Sequence, residues 1–447
     1  MELKLKEKVV AAIDIGTTKI VAIIGKRDEK GKIDILGYGN TLSTGVKRGV
    51  VLNIEQTVNA IKIAVAKAEK QAGLKITDAY VGIAGQHIRS MRNRGYINRD
   101  SYDEEISKED VNALITDMHK IPIEVGEEII HVLPQNFVVD NEVGVKNPIG
   151  MFGKRLEANF HIVIGQTAAA NNIKKCVNRA GVNVKKLVLE PLASSDAVLT
   201  EDEKEIGVAL VDIGGGTTDV AIFYEGIIQH TAVIPFGGNI VTQDIKKGCN
   251  ILERYAEQLK IKYGSSLADK TQENKVVSIP GISGRPPKEI SFKNLAHIIQ
   301  SRMEEIISQV NFQLGASGIQ SQIGAGIVLT GGGALIKNLS QLVSYKTAMD
   351  VRLGLPTQKV KSEIVDEVNQ PTFSTGVGLM LTGFADKGDG MSVEDIIIEE
   401  KQEPKEQKIE TTIDDSKNKV KKGSFVKKIK EAGSMLEGFF DVKDEKM

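Results

Sequence analysis

Cysteine is scarce in this chain, since only Cys176 and Cys249 occur among its 447 residues. The two lie far apart and form no CxxC pair, which disfavours both a disulfide framework and a thiolate zinc site. The six histidines show no paired ligand spacing, so they predict no metal site either. The cysteine usage favours a reducing compartment.

Long apolar runs are also missing. The N-terminus, MELKLKEKVVAAIDIG, has no apolar run long enough for the hydrophobic region of a secretion signal before charges interrupt it. No stretch reaches the roughly 18 uninterrupted apolar residues of a membrane-spanning helix. The sequence thus predicts neither a cleaved signal nor a transmembrane segment, although secretion without a signal stays open.

The chain lacks an excess of either charge, because 58 basic residues nearly balance 59 acidic ones. Any attraction for nucleic acid or anionic lipid must therefore come from local charge segregation. One local basic run, Arg89, Arg92, Arg94 and Arg99 with Tyr96, has no aromatic platform pair and no recognition-helix pattern. We predict no nucleic-acid partner and interpret the run as a solvated or filament-contacting hairpin.

What the chain does have is length. Its 447 residues exceed one compact core, and roughly 100 to 200 residues per domain predict two to four domains. An apolar share of 41% with 26% charged residues is typical of a folded soluble protein. A multidomain protein with clefts is therefore expected.

Two segments share one pattern. The first has a strand over 9–15, a polar turn over 16–19 and a second strand over 20–25. Near the middle of the chain the pattern recurs as GVALVDIGG, a glycine and threonine turn, and VAIFYEG. This internal duplication predicts two similar subdomains that face each other across a cleft, with both turns pointing into it. Asp14 and Asp212 are then expected to lie close together.

Other segments fill in the organisation. Apolar residues spaced by three and four predict a helix over 54–72 that ends at Gly73. The stretch from about 78 to 165 mixes strands with a helix and predicts a small separate domain. A third glycine signal, GIVLTGGGALIKNL, predicts a strand, a turn over 331–333 and a helix start. Beyond about Asp386 an acidic, Gln- and Lys-rich composition predicts a disordered linker.

The three glycine turns suit phosphate binding, because glycine lets backbone N–H groups approach a phosphate closely. Threonine hydroxyls add donors, and Lys19 can place a charge on the β or γ phosphate. Asp14 and Asp212 border the turns and suit Mg²⁺, held directly or through water. The third turn would aim a helix N-terminus at the α-phosphate and nucleoside. The predicted nucleotide-binding residues of the turns are Asp14, Gly16, Thr17, Thr18, Lys19, Asp212, Gly214, Gly215, Gly216, Thr217, Thr218, Gly331, Gly332 and Gly333.

Any one of these turns alone is more typical of a tight turn beside a buried strand. Three of them in this order, two in a duplicated context, favour nucleotide binding. The pattern resembles the superfamily of actin, the DnaK-type chaperones and the sugar kinases, in which two hairpins grip the phosphates. That resemblance implies ATP and magnesium as cofactors and an α/β actin-like ATPase fold, with two duplicated lobes around a nucleotide cleft.

A narrower resemblance covers nearly the whole chain. It rests on DIGTTK at 14–19, EPLASS at 190–195, VDIGGGTTD at 211–219, PFGG at 235–238, AEQLKIKYG at 256–264 and TGGGALIKN at 330–338. The chain in this respect resembles the FtsA family of bacterial cell-division proteins, whose extra subdomain matches the insert. The domains expected are 1–78 and 166–203 for the first lobe (1A), 79–165 for the inserted subdomain (1C), 204–385 for the second lobe (2A, with a 2B insert at about 240–320), 386–422 for the linker and 423–447 for the tail.

The family resemblance implies further roles. Glu257 and Lys260, three residues apart on one helix face, would hold the ribose and adenine, and the alternative is a surface ion pair. Glu190 takes the place where relatives position a water or hydroxyl for attack on the γ-phosphate. The alternative is a helix-leading glutamate without a chemical role. FtsA-like proteins are at most weak ATPases, so nucleotide-dependent assembly is implied more than turnover.

The C-terminal tail has the pattern of an amphipathic helix. Its apolar stripe and flanking lysines, the predicted membrane-contacting residues, are Phe425, Ile429, Leu436, Phe439, Phe440, Lys427 and Lys428. A segment this short and charged cannot span a bilayer but can lie in its interface. Its glycines weaken the helix, so one tail should bind weakly and a filament of many tails tightly. The alternative is docking on the protein's own core or in a partner groove.

Together these features predict an actin-like ATP-binding adaptor that polymerises on the cytoplasmic face of the inner membrane at the division site. Residues 424–440 would anchor it to the lipid surface, whose preferred charge the sequence leaves open. By resemblance its partners are the C-terminal peptide of the tubulin-like protein FtsZ, other division proteins and further copies of itself. Two alternatives share the fold: a small-molecule kinase, and a pilus-type actin homologue that is not expected to carry this tail.

Overall fold

The computed structural model describes residues 8–100, 102–272, 274–281, 285–356, 360 and 365–386, and the backbone of Val442–Asp444. The expected linker, apart from Asp386, and the predicted membrane helix over 424–440 lie outside the described residues. Among the helices that are described, none combines the length and the apolar character needed to cross a membrane.

The described residues form strands and helices in alternation. The strands are β1 (Lys8–Ile15), β2 (Lys19–Arg27), β3 (Ile33–Leu42), β4 (Val46–Lys47), β5 (Val50–Val51), β6 (Asp78–Ile83), β7 (Arg89–Asn98), β8 (Glu127–Val139), β9 (Glu142–Val145), β10 (Arg155–Gln166), β11 (Asn183–Leu189), β12 (Val208–Ile213), β13 (Thr218–Tyr224), β14 (Ile227–Ile234), β15 (Lys275–Ile279), β16 (Lys288–Ser291), β17 (Ile327–Thr330), β18 (Val351–Leu353) and β19 (Val442–Asp444). The helices are α1 (Ile54–Ala72), α2 (Lys108–Met118), α3 (Thr167–Arg179), α4 (Glu190–Val198), α5 (Glu201–Ile206), α6 (Gly238–Cys249), α7 (Glu253–Tyr263), α8 (Phe292–Ala316), α9 (Leu339–Thr347), α10 (Val365–Val368) and α11 (Ser374–Ala385).

Two five-stranded sheets have the same topology. The first runs β3-β2-β1-β6-β11 and the second β14-β13-β12-β17-β18. In each sheet, the first three strands in this order pair antiparallel, and the last two are added in parallel. The predicted duplication is therefore confirmed at the level of strand order.

Helix α1 shows how the sequence sets local structure. Asn53 caps it by accepting a hydrogen bond from the backbone N–H of Gln56, and the helix ends at Gly73 with φ of 71°. Glycine takes this left-handed conformation without a Cβ clash, which is why it stops helices. Its buried residues are apolar apart from Thr57, so the predicted helix over 54–72 is confirmed.

Helices α4 and α11 lie between the two sheets. One buried cluster joins Val10 and Val21 of the first sheet to Leu210 and Phe223 of the second through both helices. A Cβ at Gly378 of α11 would lie 1.8 Å from the backbone oxygen of Ala193, so glycine alone permits this close crossing. The two lobes consequently share a core, and the cleft opens beside it.

The inserted subdomain is a separate small sheet, β7-β10-β8-β9, covered by α2. Its basic run is held internally: Arg89 pairs with Glu127, Arg94 with Glu157 and Arg99 with Asp110, while Arg92 donates to the carbonyls of Gln229 and Ser317 in the second lobe. Gln135 likewise donates to the carbonyl of Ile228 at 2.8 Å. The insert thus contacts the edge strand β14 of the second lobe.

A smaller sheet, β16-β15-β19, lies in the second lobe beside α8. Its third strand comes from near the C-terminus, where Val442 pairs antiparallel with Val277. Helices α6, α7, α8 and α9 cover the outer face of the second large sheet and enclose the largest apolar cluster of the lobe. Burial of these side chains supplies the hydrophobic stabilisation that holds the lobe together.

Candidate nucleotide cleft

The two hairpin turns face each other at contact distance. A Cβ at Gly215 would lie 1.8 Å from Oγ1 of Thr18, and one at Gly216 would lie 2.4 Å from Oγ1 of Thr17. No side chain fits at either glycine, so the backbone amides of the turns are left free to approach a ligand. The structure therefore brings together the turns that the duplicated sequence pattern singled out.

Asp14 and Asp212 stand at matching places where β1 and β12 end. Both are buried, and the hydroxyl of Ser194 donates to Oδ2 of Asp212 at 2.8 Å. Burial raises the pKa of Asp14 to about 7, against the opposing effect of Lys19 and with a further rise from Asp212. Burial also raises the pKa of Asp212, which the hydroxyls of Ser194 and Thr375 partly offset.

A third carboxylate, Asp219, was not singled out by the sequence analysis. It pairs with Asp212 across β12 and β13, and its Oδ2 accepts a hydrogen bond from Thr217 at 3.1 Å. Its Oδ1 is buried and has no hydrogen-bond partner among the described residues. Burial, followed by Asp212, raises its pKa to about 8. A buried, unpartnered carboxylate oxygen is what a cation or a bound water would satisfy.

Glu190 opens α4 at the end of β11. Its carboxylate lies so close to Gly82 that a Cβ there would be 3.0 Å from Oε1. Burial raises the pKa of Glu190 well above its usual range, and Asp14, Asp219 and then Asp212 add to the rise. Burial and these neighbouring carboxylates thus favour the protonated carboxyl over the carboxylate.

The inserted subdomain reaches the residue before Glu190. The backbone N–H of Leu189 donates to Nε2 of His131, on β8, at 3.0 Å. Burial lowers the pKa of His131 to about 4, so its ring is neutral and can accept this hydrogen bond. Sequence reasoning gave no signal for this contact.

Lys19 is the lysine between the carboxylates. Burial lowers its pKa to about 8, while Asp14 and Asp212 act in the opposite direction. Its ammonium also lies 3.8 Å from the ring centre of Phe373, a cation–π contact. Because Lys19 is partly buried and lines the cavity, a polyanionic ligand would find a preplaced cation here.

The third glycine turn packs against the second. Gly331 has φ of 81°, and a Cβ there would lie 2.3 Å from Oδ1 of Asp212. Gly333 is equally confined by the side chain of Ile213, 2.3 Å away. The expected helix start is a 3₁₀ turn over Gly332–Leu335, followed by α9 from Leu339. Five residues, 334–338, thus separate the glycines from the helix proper, so the helix N-terminus itself is not at the turn.

Glu257 and Lys260 lie on α7 at the rim of the cleft. The Lys260 ammonium is 2.8 Å from Oε2 of Glu257 and also donates to the Gly238 carbonyl at 3.0 Å and to Oγ1 of Thr242 at 2.9 Å. The ion pair is therefore tied to α6 rather than standing free on the surface. Both residues line the cavity, and their contact with a nucleoside stays a prediction.

An apolar wall near this pair also escaped the sequence analysis. Ile261 and Leu335 are 68% and 50% exposed, yet both line the cavity, together with the largely buried Ile336. Large apolar side chains exposed inside a concave site provide a surface for a flat aromatic ring. These residues stand in two of the quoted motifs: in AEQLKIKYG, Ile261 follows Lys260, and in TGGGALIKN, Leu335 and Ile336 follow the glycines.

The cleft encloses a cavity of about 350 Å³. The predicted residues that line it are Asp14, Gly16, Thr17, Thr18, Lys19, Glu190, Asp212, Gly214, Gly215, Gly216, Thr217, Glu257, Lys260, Gly331, Gly332 and Gly333. Thr218 is the exception, since it is fully buried and donates its hydroxyl to the carbonyl of Phe236 at 2.8 Å. Its hydroxyl fixes the PFGG loop, and Thr218 does not line the cavity.

Within the described part of the chain, no three His, Cys, Asp or Glu side chains come close enough together to form a metal site of their own. Asp14, Asp212 and Asp219 nevertheless all line the cavity, and their carboxylate oxygens are the kind of donor that hard cations prefer.

Solved structures with the same architecture identify the fold. The PilM–PilN type IV pilus biogenesis complex matches with a TM-score of 0.61 at 14% identity, over 83% of this chain and 98% of that one. MreB5 of Spiroplasma citri bound to ADP matches with a TM-score of 0.52 at 14% identity, over 85% and 97%. The fold is that of the actin-like ATPases, as the sequence predicted.

Sequence relatives identify the family within this fold. The family model of cell division protein FtsA matches residues 209–378, and that of the SHS2 domain inserted in FtsA matches 85–164. Cell division protein FtsA of Pseudomonas aeruginosa is 43% identical over 86% of this chain and 92% of its own, that of Neisseria meningitidis 39% over 84% and 90%, and that of Escherichia coli 35% over 84% and 90%. The chain belongs to the FtsA family of bacterial cell-division proteins.

Proposed function

We propose that the chain binds ATP with Mg²⁺ in this cleft and that the bound nucleotide governs its assembly into filaments. The observation that carries the proposal is the contact between the two glycine turns, with Asp14 and Asp212 at their bases and Lys19 between them. Backbone amides on both sides of a triphosphate and one buried cation are suited to bind its charge.

The donor atoms fit magnesium. Asp14 and Asp212 would hold the ion through water, and the unpartnered Oδ1 of Asp219 would accept a hydrogen bond from one of those waters. Bound in this way, Mg²⁺ would neutralise phosphate charge and lower the cost of burying the carboxylates together.

Glu190 would orient a water beside the outermost phosphate. Burial and the nearby Asp14, Asp219 and Asp212 disfavour the carboxylate form that would accept a proton from this water, so we expect slow hydrolysis and at most a weak ATPase. This rate suits a nucleotide that serves as an assembly switch, and it supports the role of an adaptor over that of a metabolic enzyme.

We propose further that the filament lies on the cytoplasmic face of the inner membrane at the division site. The amphipathic pattern of residues 424–440 supports attachment through lipid contact, and many tails along one filament would multiply a weak single contact. Membership of a cell-division family supports the C-terminal peptide of FtsZ and other division proteins as partners.

The first test is sedimentation of the full-length protein with anionic liposomes, with and without Mg-ATP. Deletion of residues 424–447, which also removes the edge strand β19, should abolish co-pelleting while nucleotide binding persists, because no residue of this segment lines the cleft. Pelleting that survives the deletion would exclude the tail as the anchor.

The cleft is tested separately. Asp212→Ala should weaken Mg-ATP binding, and an unchanged affinity would count against the cleft. A small-molecule kinase would turn over ATP with an added phosphoacceptor, whereas a pilus-type homologue would bind nucleotide without any lipid association. Family membership favours neither of these alternatives.

A further inference from the structure

A short hairpin in the first lobe carries a strained arginine. Strands β4 and β5 are joined by Arg48 and Gly49, and both residues have positive φ, 51° and 75°. Paired positive φ values are typical of a two-residue hairpin turn, for which Asn-Gly is the favoured sequence. Arginine in this conformation is destabilising, and residues held against such strain concentrate at functional sites.

This hairpin touches both phosphate turns. The backbone N–H of Gly49 donates to Oγ1 of Thr17 at 3.2 Å. On the other side, a Cβ at Gly216 would lie 2.9 Å from the Cα of Arg48. A Cβ at Gly49 would lie 2.5 Å from the carbonyl oxygen of Ala84, so the turn is also confined from below. The packing fixes the backbone of Arg48 between the two lobes, next to the proposed phosphate site.

The Arg48 side chain contacts an aromatic ring rather than an anionic group. Its guanidinium lies over the ring of Phe236 in the second lobe, 6.0 Å from the ring centre. Among the residues that the structure describes, no carboxylate forms an ion pair with it. Arg48 lines a second cavity of about 720 Å³, which adjoins the nucleotide cavity through Thr17, Thr18, Gly215 and Gly216. The guanidinium therefore stands at open space beside the phosphate turns.

We propose that Arg48 is the residue that distinguishes a nucleoside triphosphate from a diphosphate. With a triphosphate bound, the guanidinium leaves the ring of Phe236 and pairs with the outermost phosphate, whose oxygens match its two-pronged geometry. With a diphosphate it returns to the ring. Because Phe236 belongs to the second lobe and Arg48 to the first, the exchange changes a contact between the lobes according to the nucleotide. This inference rests on the proposed nucleotide cleft.

The variant Arg48→Asn removes the positive charge and keeps the turn. Asparagine tolerates positive φ and completes an Asn-Gly turn, so the hairpin should be at least as stable as in the unaltered chain. Lys47→Ala is the matched control, because Lys47 is exposed and lines the same cavity one residue earlier. Arg48→Lys keeps the charge and removes the two-pronged geometry.

Affinities for Mg-ADP and for a non-hydrolysable Mg-ATP analogue would be measured by calorimetry on the full chain. We expect Arg48→Asn to weaken analogue binding about 10-fold or more while ADP binding is unchanged, the loss of one charge-assisted contact. Arg48→Lys should fall between, and Lys47→Ala should match the unaltered chain.

The outcomes are separable. Equal loss of ADP and analogue binding in Arg48→Asn would assign Arg48 a structural role, and no loss of either would also overturn the inference. If the unaltered chain binds neither nucleotide, the proposed cleft function itself fails, and the variants are then not needed to decide it.

Discussion

The substitution Asp219→Asn should stabilise the nucleotide-free protein. Asp219 is 4% exposed, its Oδ1 has no partner among the described residues, and its pKa is raised by burial to about 8. In the unfolded chain the same carboxyl ionises near 3.8. Folding at neutral pH must therefore either protonate this group or bury its charge, and both oppose folding.

The sign and size follow from the two pKa values. Because the folded value lies above the unfolded one, the cost is absent below about pH 3.8, grows as the pH rises and levels off above about pH 8. At pH 7 roughly three pH units at 1.36 kcal/mol each set an upper limit of about 4 kcal/mol. Relaxation and imperfect pairing of the new amide reduce it, so we expect a gain of about 1–3 kcal/mol.

The assay is urea unfolding of the nucleotide-free protein at pH 5, 7 and 8. The gain from Asp219→Asn should rise with pH, while the extra stability conferred by Mg-ATP should shrink, since the carboxylate that we propose faces the ion is gone. Asp269→Asn, at an exposed site, is the control and should leave both quantities unchanged. A variant less stable than the unaltered chain at pH 7, or a gain independent of pH, would refute the reasoning.

Two further predictions concern the shared core and the inserted subdomain. In a urea titration, Gly378→Ala should lower the free energy of unfolding by about 1–3 kcal/mol, because the new methyl group meets the Ala193 carbonyl where α4 and α11 cross. The control is Gly315→Ala near the end of α8, where there is room for a methyl group. It should be neutral or stabilising. Burial, with His230 and Arg92, lowers the pKa of His161 to about 4, below its unfolded value of 6.5, so its contribution is complete above pH 6.5 and is lost as the pH falls towards 4. Between pH 7 and pH 5 this loss of unfolding free energy is about 2 kcal/mol. His161→Gln should remove the corresponding difference in urea midpoints between the two pH values, whereas the exposed His297→Gln should leave it in place. An unchanged difference in His161→Gln would contradict the assignment.

The sequence predicted much of the site because its elements are local. A strand, a glycine turn and a returning strand are each encoded within about ten neighbouring residues, so the two hairpins and their duplication could be recognised before any contact was known. Asp219 was missed although it stands in VDIGGGTTD, because the matching position in the first hairpin is Val21 and the duplication gave no reason to expect an acid.

Thr218 is the opposite case, because the sequence placed it in the site although it does not line the cavity. Its place beside Thr217 made it a donor to phosphate by analogy, but β13 turns its hydroxyl towards the loop at Phe236. Alternation along a strand sends neighbouring side chains to opposite faces, and only the packed lobe decides which face meets the cleft. The same holds for Ile261 and Leu335, whose apolar character is visible in the sequence but whose shared wall requires α7 and the third glycine turn to come together.

By itself, then, the sequence determined the fold class, the duplicated lobes, the glycine turns and the family, since periodicity, turn chemistry and motif spacing are properties of neighbouring residues. Only the tertiary structure decided the raised pKa values of the clustered carboxylates, the contact of His131 with the residue before Glu190, and the position of Arg48 between the lobes. These depend on burial and on charges brought from distant parts of the chain, and the free energy of a buried charge is set by everything that surrounds it in space.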